Sequence, residues 1–284
     1  MNALTFHLSP KIVSALPRAA ALQMYDLPEI RDANDALWTA IAARLRADGV
    51  EDVPEALSRG RSPEDVWTDR RLLLAQTCGY PFANALRTKV KLVATPRYRA
   101  PGCDGPFYRS AVVVRANSAA TSLSDLRGGR CAVNDRMSNS GMNLLRVELA
   151  PLARHRSFFG SVVVSGSHKA SAELVVGGDA DLAAIDCVTW AHLKRWRPAL
   201  ANRLRILAWT VQSPGLPLIT AADTDAATRD ALYRALKDVE RDPGLRDVRA
   251  ELMLDGFNNL PAPHYHAVLY LEQIAVAQGY PQLA

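Results

Sequence analysis

Apolar residues recur along this chain with two different periods. From Asn34 to Ala47, Leu37, Ile41 and Leu45 fall every fourth residue while Arg44 and Arg46 lie off that face, which predicts a helix. Gly49 supplies its stop. Ser62-Pro-Glu-Asp65 reads as a second helix start, with serine as N-cap, proline at the first position and acids in the first turn. Ala20–Met24, Leu72–Ala75 and Val90–Ala94 are short apolar runs with polar exits and predict strands. So do Ser110–Arg115, Arg130–Val133, the valines after Ser161, the apolar part of Gly178–Asp186, and Arg205–Trp209. Helical patterns return at Met142–Leu149, Ala226–Glu240, Leu245–Leu254 and Tyr265–Gln278. Residues 1–19 show no clear period and read as an N-terminal arm. Strands alternating with helices imply βαβ units and parallel sheets, an α/β fold.

The chemistry gathers where strands end. Arg130–Val133 empties into Asn134-Asp-Arg-Met-Ser-Asn-Ser-Gly-Met-Asn143, which opens a helix. A helix start exposes unpaired backbone N–H groups and the positive end of the helix dipole. Ser138, Asn139 and Ser140 add side-chain donors, and Gly141 lets an anion approach the backbone. The same residues also fit an ordinary serine N-cap. Val162-Val-Val-Ser-Gly-Ser-His168 is a second strand with a small polar exit, and Asp186 closes a third. Three such exits match a cleft at the carboxyl ends of parallel strands.

These segments together resemble a known family. Tyr108-Arg-Ser-Ala-Val-Val-Val-Arg115, Leu123-Ser-Asp-Leu-Arg-Gly128, Ser138-Asn-Ser-Gly141, Gly166-Ser-His168 and Gly178-Asp-Ala-Asp-Leu-Ala-Ala-Ile-Asp186 follow the order found in the phosphonate-binding family. Its members are substrate-binding proteins of phosphate, phosphite and phosphonate ABC transporters. The resemblance spans Ala21 to Gln273. It implies a type 2 periplasmic binding protein fold, in which two α/β lobes, each a mostly parallel sheet flanked by helices, close on a ligand. The expected lobes are 20–115 with 205–284, and 116–204, joined by crossing strands at Ser110–Arg115 and Arg205–Trp209.

In that frame Tyr25, Gln76, Thr77 and Tyr80 line the first-lobe side of the cleft. Ser138, Asn139, Ser140, Gly141, His168 and Asp186 line the second. His168 would hold phosphoryl oxygens as a neutral donor or as a cation. Asp186 would accept from a ligand hydroxyl, amine or protonated phosphoryl oxygen; it also fits a helix N-cap for Val188–Leu193. Tyr25 and Tyr80 also fit surface loops, and Asp181 reads as a turn residue. The expected partners are a small anionic ligand and an ABC transporter permease, with the protein a monomer.

Composition narrows the alternatives. Hydrophobic residues at 49% and charged residues at 22% give a globular balance. The net charge of +5 is spread along the chain, and Lys194-Arg-Trp-Arg197 reads as a solvated helix end rather than a nucleic-acid patch. No run approaches the roughly 20 apolar residues of a membrane span. Ile12-Val-Ser-Ala-Leu16 is cut by Pro10, Lys11, Pro17 and Arg18 before a signal-peptide core forms, so the chain as written reads as cytoplasmic, or as periplasmic if an export signal has been removed. The four cysteines show no CxxC pair and no metal-ligand spacing. Cys131 and Cys187 read as buried; Cys78 and Cys103, both in turns, could pair in an oxidising compartment. No P-loop, HExxH or GxGxxG pattern stands in a suitable context, and no cofactor is expected. Two other functions stay open: a cytoplasmic sensor or orphan binding module of this fold, and a small hydrolase using Ser140 with His168 and Asp186, although the G-x-S-x-G elbow is missing.

Overall fold

The computed structural model describes residues 18–284, so the arm expected over residues 1–19 falls almost wholly outside it. Twelve strands are present among the described residues: β1 (Ala19–Ala21), β2 (Leu72–Gln76), β3 (Val90–Tyr98), β4 (Phe107–Tyr108), β5 (Ser110–Arg115), β6 (Arg130–Val133), β7 (Ser161–Val164), β8 (Leu182–Asp186), β9 (Leu204–Trp209), β10 (Ser213–Pro214), β11 (Leu218–Ala221) and β12 (Leu254–Asn258). They form two five-stranded sheets, ordered β1-β2-β11-β3-β12 and β7-β6-β8-β5-β9, with a two-stranded β4–β10 ladder between them in the chain.

The sheets are mixed, which corrects the expected mostly parallel arrangement. β1–β2, β7–β6 and β6–β8 are parallel. β11, β12, β5 and β9 pair antiparallel to their neighbours. Local alternation of strand and helix predicts the parallel pairs. It misses β5 and β11, which enter a sheet from the other lobe, because their direction is set by the crossing and not by a local βαβ unit.

The crossings also lie elsewhere than expected. β5 pairs with β8 and β9, so both Ser110–Arg115 and Leu204–Trp209 sit wholly inside the second sheet. The chain passes between sheets just before β5 and just after β9, where β4 pairs with β10. Arg109 donates to the Thr210 carbonyl at 2.9 Å, and the Ser110 amide donates to Thr210 Oγ1 at 2.9 Å beside that ladder.

Helices cover the sheets as their patterns require. Arg31–Ala47 buries Ala33, Leu37, Trp38, Ile41, Ala42 and Leu45, and Ala226–Arg241 buries Ala231, Leu232, Ala235, Leu236 and Val239 against the same core. Ser62 caps Pro63–Trp67 by accepting from the Asp65 amide at 3.1 Å, as its sequence predicts. The helix expected over Leu245–Leu254 spans only Arg246–Glu251. Met253 then adopts a left-handed backbone, φ 55°, and the chain reverses into β12. The first strand is likewise shorter than expected; Gln23–Tyr25 is a 3-10 turn that swings Tyr25 inward.

The C-terminal helix, His266–Ala277, packs against Leu144–Ala153 of the other lobe. There Arg146, buried, lies 3.3 Å from Glu272 and donates to the Pro281 carbonyl at 2.7 Å. The amides of Phe158 and Phe159 donate to the Ala284 carbonyl at 2.6 and 3.0 Å. The segment expected to complete the first lobe therefore also straps the second.

Candidate functional site

Four helices begin at one cleft between the sheets. Gly79–Ala83 follows β2, the single π-type turn Asn139–Asn143 leads into Leu144–Ala153 after β6, His168–Gly177 follows β7, and Cys187–Trp196 follows β8. β2 and β8 end on Gln76 and Asp186, and β6 and β7 run out into Asn134 and Ser165-Gly166 before the next helix begins. Ser138 Oγ accepts from the Gly141 amide at 2.9 Å, Ser167 Oγ from the Ala170 amide at 3.1 Å, and Asp186 Oδ1 from Val188 and Thr189 at 2.8 and 3.1 Å. The remaining first-turn amides and the aligned dipoles make this a positive pole.

The cleft holds a cavity of about 410 Å³. Tyr25 lines it from the first lobe, and Ser138, Ser140, His168 and Asp186 line it from the second. Ser140 Oγ and His168 Nε2 are 2.9 Å apart, Ser138 Oγ lies 3.4 Å from Ser140 Oγ, and Ser110 Oγ holds the Ser140 carbonyl at 2.9 Å. Tyr25 donates across the cleft to Asp186 Oδ2 at 2.9 Å.

The other expected contacts stand behind this surface. Asn139 donates to Tyr108 at 3.1 Å and to Ser213 Oγ at 2.8 Å, joining the loop to both strands of the inter-sheet ladder. Gly141 is buried, and a Cβ there would fall 1.8 Å from Asn134 Oδ1 and 3.3 Å from His168 Cε1. Its lack of a side chain therefore makes room for protein atoms, where the sequence suggested room for an anion. Gln76 is buried, donating to Tyr98 at 3.1 Å and to the Leu216 carbonyl at 3.3 Å; Tyr98 in turn meets Tyr25 edge-on at 5.1 Å. Thr77 is buried, with its amide on the Pro217 carbonyl at 3.0 Å. Tyr80 turns from the cavity and donates to Glu272 at 2.6 Å.

Several lining residues escaped the sequence reading. Asn134, at the end of β6, keeps a buried Oδ1 without a hydrogen-bond partner. Lys169, Ser167 and Cys78 stand in the first turns or caps of the converging helices, and Pro63, Glu64 and Trp67 come from a helix distant in sequence. The polar strand exits could have flagged Asn134 and Ser167. Nothing local marks Trp67, because its approach is made by packing.

Burial sets the charges. It raises the Asp186 carboxyl to about 6, against the lowering effect of the Thr189 amide, Tyr25 and the Val188 amide. It pulls His168 down to about 4, so the imidazole is neutral near pH 7 despite a partly exposed edge. Burial, and then the Asp186 charge, push the Tyr25 hydroxyl well above its ordinary value, which keeps it a donor. Asp186 does not serve His168: one of its oxygens caps a helix and the other takes Tyr25.

The Cys78–Cys103 pairing that the sequence left open is not formed. All four cysteines are free. Cys78 Sγ accepts from the Asn139 amide at 3.2 Å, whereas Cys103 Sγ lies 3.4 Å from Cys187 Sγ. Two turns far apart in the sequence give no information about which thiols fold together. Among the described residues, no group of three His, Cys, Asp or Glu side chains could hold a metal ion, and no helix is long and apolar enough to cross a membrane.

A ligand-sized cleft between two α/β lobes joined by paired crossings defines a solute-binding protein of the type 2 periplasmic binding protein architecture. The family of ABC transporter, phosphonate, periplasmic substrate-binding proteins matches residues 70–265, more than half of the sequence, and the chain belongs to that family. Solved structures agree at the level of fold. A binding protein component of an ABC phosphonate transporter from Pseudomonas aeruginosa superposes with a TM-score of 0.73 at 15% identity, covering 92% of this chain and 88% of that one. PhnD1 from Prochlorococcus marinus, in complex with methylphosphonate, gives 0.72 at 16% identity over 90% of this chain and 97% of that one. A Xanthomonas citri protein bound to ATP gives 0.67 at 18% identity over 92% and 96%. No curated protein matches the sequence.

Proposed function

We propose that this solute-binding protein captures a small phosphonate- or phosphate-like anion and delivers it to an ABC transporter permease. The observation that carries this reading is the convergence of Ser138, Ser140, His168 and several helix N-termini on one cavity. Such an arrangement donates hydrogen bonds to several oxygens of one anion at once. A neutral His168 acts as donor or acceptor without bringing a charge. Asp186, protonated below about pH 6 and ionised above, favours a ligand that carries a hydrogen-bond donor, such as a protonated phosphoryl oxygen or an amine. The methylphosphonate complex of the Prochlorococcus marinus protein and the family's transporter role support the ligand class and the permease partner.

The Ser140–His168 pair also has the geometry of a nucleophile and its base. The carboxylate that would orient the imidazole is committed to Tyr25 and to the helix cap, which favours binding over turnover.

Isothermal calorimetry tests the proposal with methylphosphonate, an aminoalkylphosphonate, phosphate and sulfate. At least one phosphorus anion is expected to bind more tightly than sulfate, which has no proton to offer Asp186 at neutral pH. Heat from none of the phosphorus anions would overturn the reading. Hydrolysis of a phosphonate or carboxylate ester that Ser140→Ala abolishes would replace it with the enzyme.

A further inference from the structure

We propose that Cys103 and Cys187 form a redox-active dithiol, which a small disulfide oxidant converts into an intramolecular disulfide beside the ligand cleft. The two sulfurs lie 3.4 Å apart although 83 residues separate them in the chain. Cys187 opens the helix that Asp186 caps. Cys103 lies in the turn Pro101–Gly105, on the first passage between the sheets, where Arg99 still bonds the first lobe through Met253 and Phe107 already enters the ladder.

The turn is seated for this contact. Gly102 holds φ 100°, and a Cβ there would fall 2.7 Å from Trp209 Cζ3 and 2.9 Å from Cys187 Cβ. Only glycine lets the backbone press so closely onto β9 and Cys187. The turn thus sets Cys103 over its partner, and the sulfurs need to approach by little more than an ångström to reach the roughly 2.05 Å of a disulfide.

Exposure assigns the roles. Cys103 is half-buried between exposed Pro101 and Asp104, so an oxidant can reach it; Cys187 is buried. Its hydrogen bond with Cys103, then burial and the Asp186 charge, hold the Cys187 thiol strongly against ionisation. Cys103, as thiolate, attacks one sulfur of a disulfide RSSR, forming a mixed disulfide and releasing RS⁻. Cys187 then attacks Cys103 Sγ and gives up its proton, and the second R group departs as RSH once that proton is transferred. Two electrons pass from the cysteine pair to RSSR, and the released RS⁻ takes up the proton that Cys103 lost on ionising, giving one protein disulfide and two RSH. Cys131, enclosed in β6, and Cys78, turned to the Asn139 amide, take no part.

The bond would tie the inter-lobe passage to the second lobe at the base of Asp186. The test uses the full chain, reduced, freed of reductant and then incubated with oxidised glutathione. Denatured thiol titration should fall from four thiols to two. Non-reducing peptide mapping should find Cys103 joined to Cys187 in a species that separates on reduction. Cys187→Ser should stop with one glutathione on Cys103, and Cys78→Ser should still form the bond. The oxidised parent should melt several degrees above Cys103→Ser treated alike. Four persisting thiols, a bond to Cys78, or a stable glutathione adduct on Cys103 of the parent would each overturn the proposal. Equal melting temperatures would overturn the tie. None of these readings depends on which anion the cleft binds.

Discussion

Asp186 and His168 face one cavity, and burial moves them in opposite directions. Asp186 rises from its ordinary 3.8 to about 6. Between those values the unfolded chain has released this proton while the folded protein keeps it. Stability from Asp186 is therefore lost as pH rises through about 4 to 6, on the scale of ~3 kcal/mol at most. His168 falls from 6.5 to about 4, so the unfolded chain takes up a proton that the folded protein refuses. Its contribution is present above 6.5 and lost as pH falls toward 4. Asp186→Asn keeps the helix cap through its carbonyl oxygen and meets Tyr25 with its amide, reversing that hydrogen bond, without the charge. Its stability advantage over the parent should grow from pH 4 to pH 6 and then level off in urea titrations. A constant difference would mean that Asp186 is not held protonated. By the same charge, affinity for a purely anionic phosphonate should fall in the parent as pH climbs through 6, and calorimetry should find that fall missing in Asp186→Asn.

Gly141 gives a second prediction at this scale. Its added methyl would meet the Asn134 side chain and then His168. Gly141→Ala should destabilise the protein by about 1–3 kcal/mol and weaken anion binding together, because the same shift displaces His168. Normal stability and normal affinity in this variant would contradict the packing described.

At the scale of elements, the loop after β6 divides two tasks between neighbouring serines. Both line the cavity, but Ser138 Oγ is engaged in capping the π-type turn through the Gly141 amide, while Ser140 Oγ pairs with His168. Ser138→Ala should cost about 1 kcal/mol of stability for the lost cap. Ser140→Ala should leave stability nearly unchanged and reduce anion affinity more than tenfold, since a hydrogen bond to a charged group contributes about 1.5–3 kcal/mol. Denaturation and calorimetry on the two variants would separate the tasks. Equal effects of the two substitutions on both measurements would contradict the division.

Across the whole molecule, two passages at the β4–β10 ladder join the sheets, and the C-terminal segment adds a third link through Arg146, Glu272 and the Ala284 carbonyl. We expect the lobes to hinge at the ladder, with the C-terminal strap limiting how far they open. Ligand should shift the population toward a closed form and reduce the radius of gyration in small-angle scattering. Glu272→Ala would loosen the strap by leaving Arg146 buried and without its ion pair. It should lower stability and widen the difference between free and bound scattering. A radius that is insensitive to a saturating phosphonate would exclude the hinge.

The sequence by itself determined whatever is decided within a few residues. The period of Leu37, Ile41 and Leu45 set a helix, and Ser62-Pro set a helix start. The polar exits at Ser138–Gly141, His168 and Asp186 marked where strands give way to helices, because capping and backbone hydrogen bonding act over one turn. Only the tertiary structure decided what depends on contacts between distant segments. It ran β5 and β9 antiparallel inside the second sheet, turned Tyr80 to Glu272, filled the space beside Gly141 with Asn134, and set Cys103 against Cys187 rather than Cys78. The physical reason is the range of the forces: local periodicity and capping are written along the chain, while burial, strand pairing and the pKa of a carboxyl depend on which surfaces folding brings together.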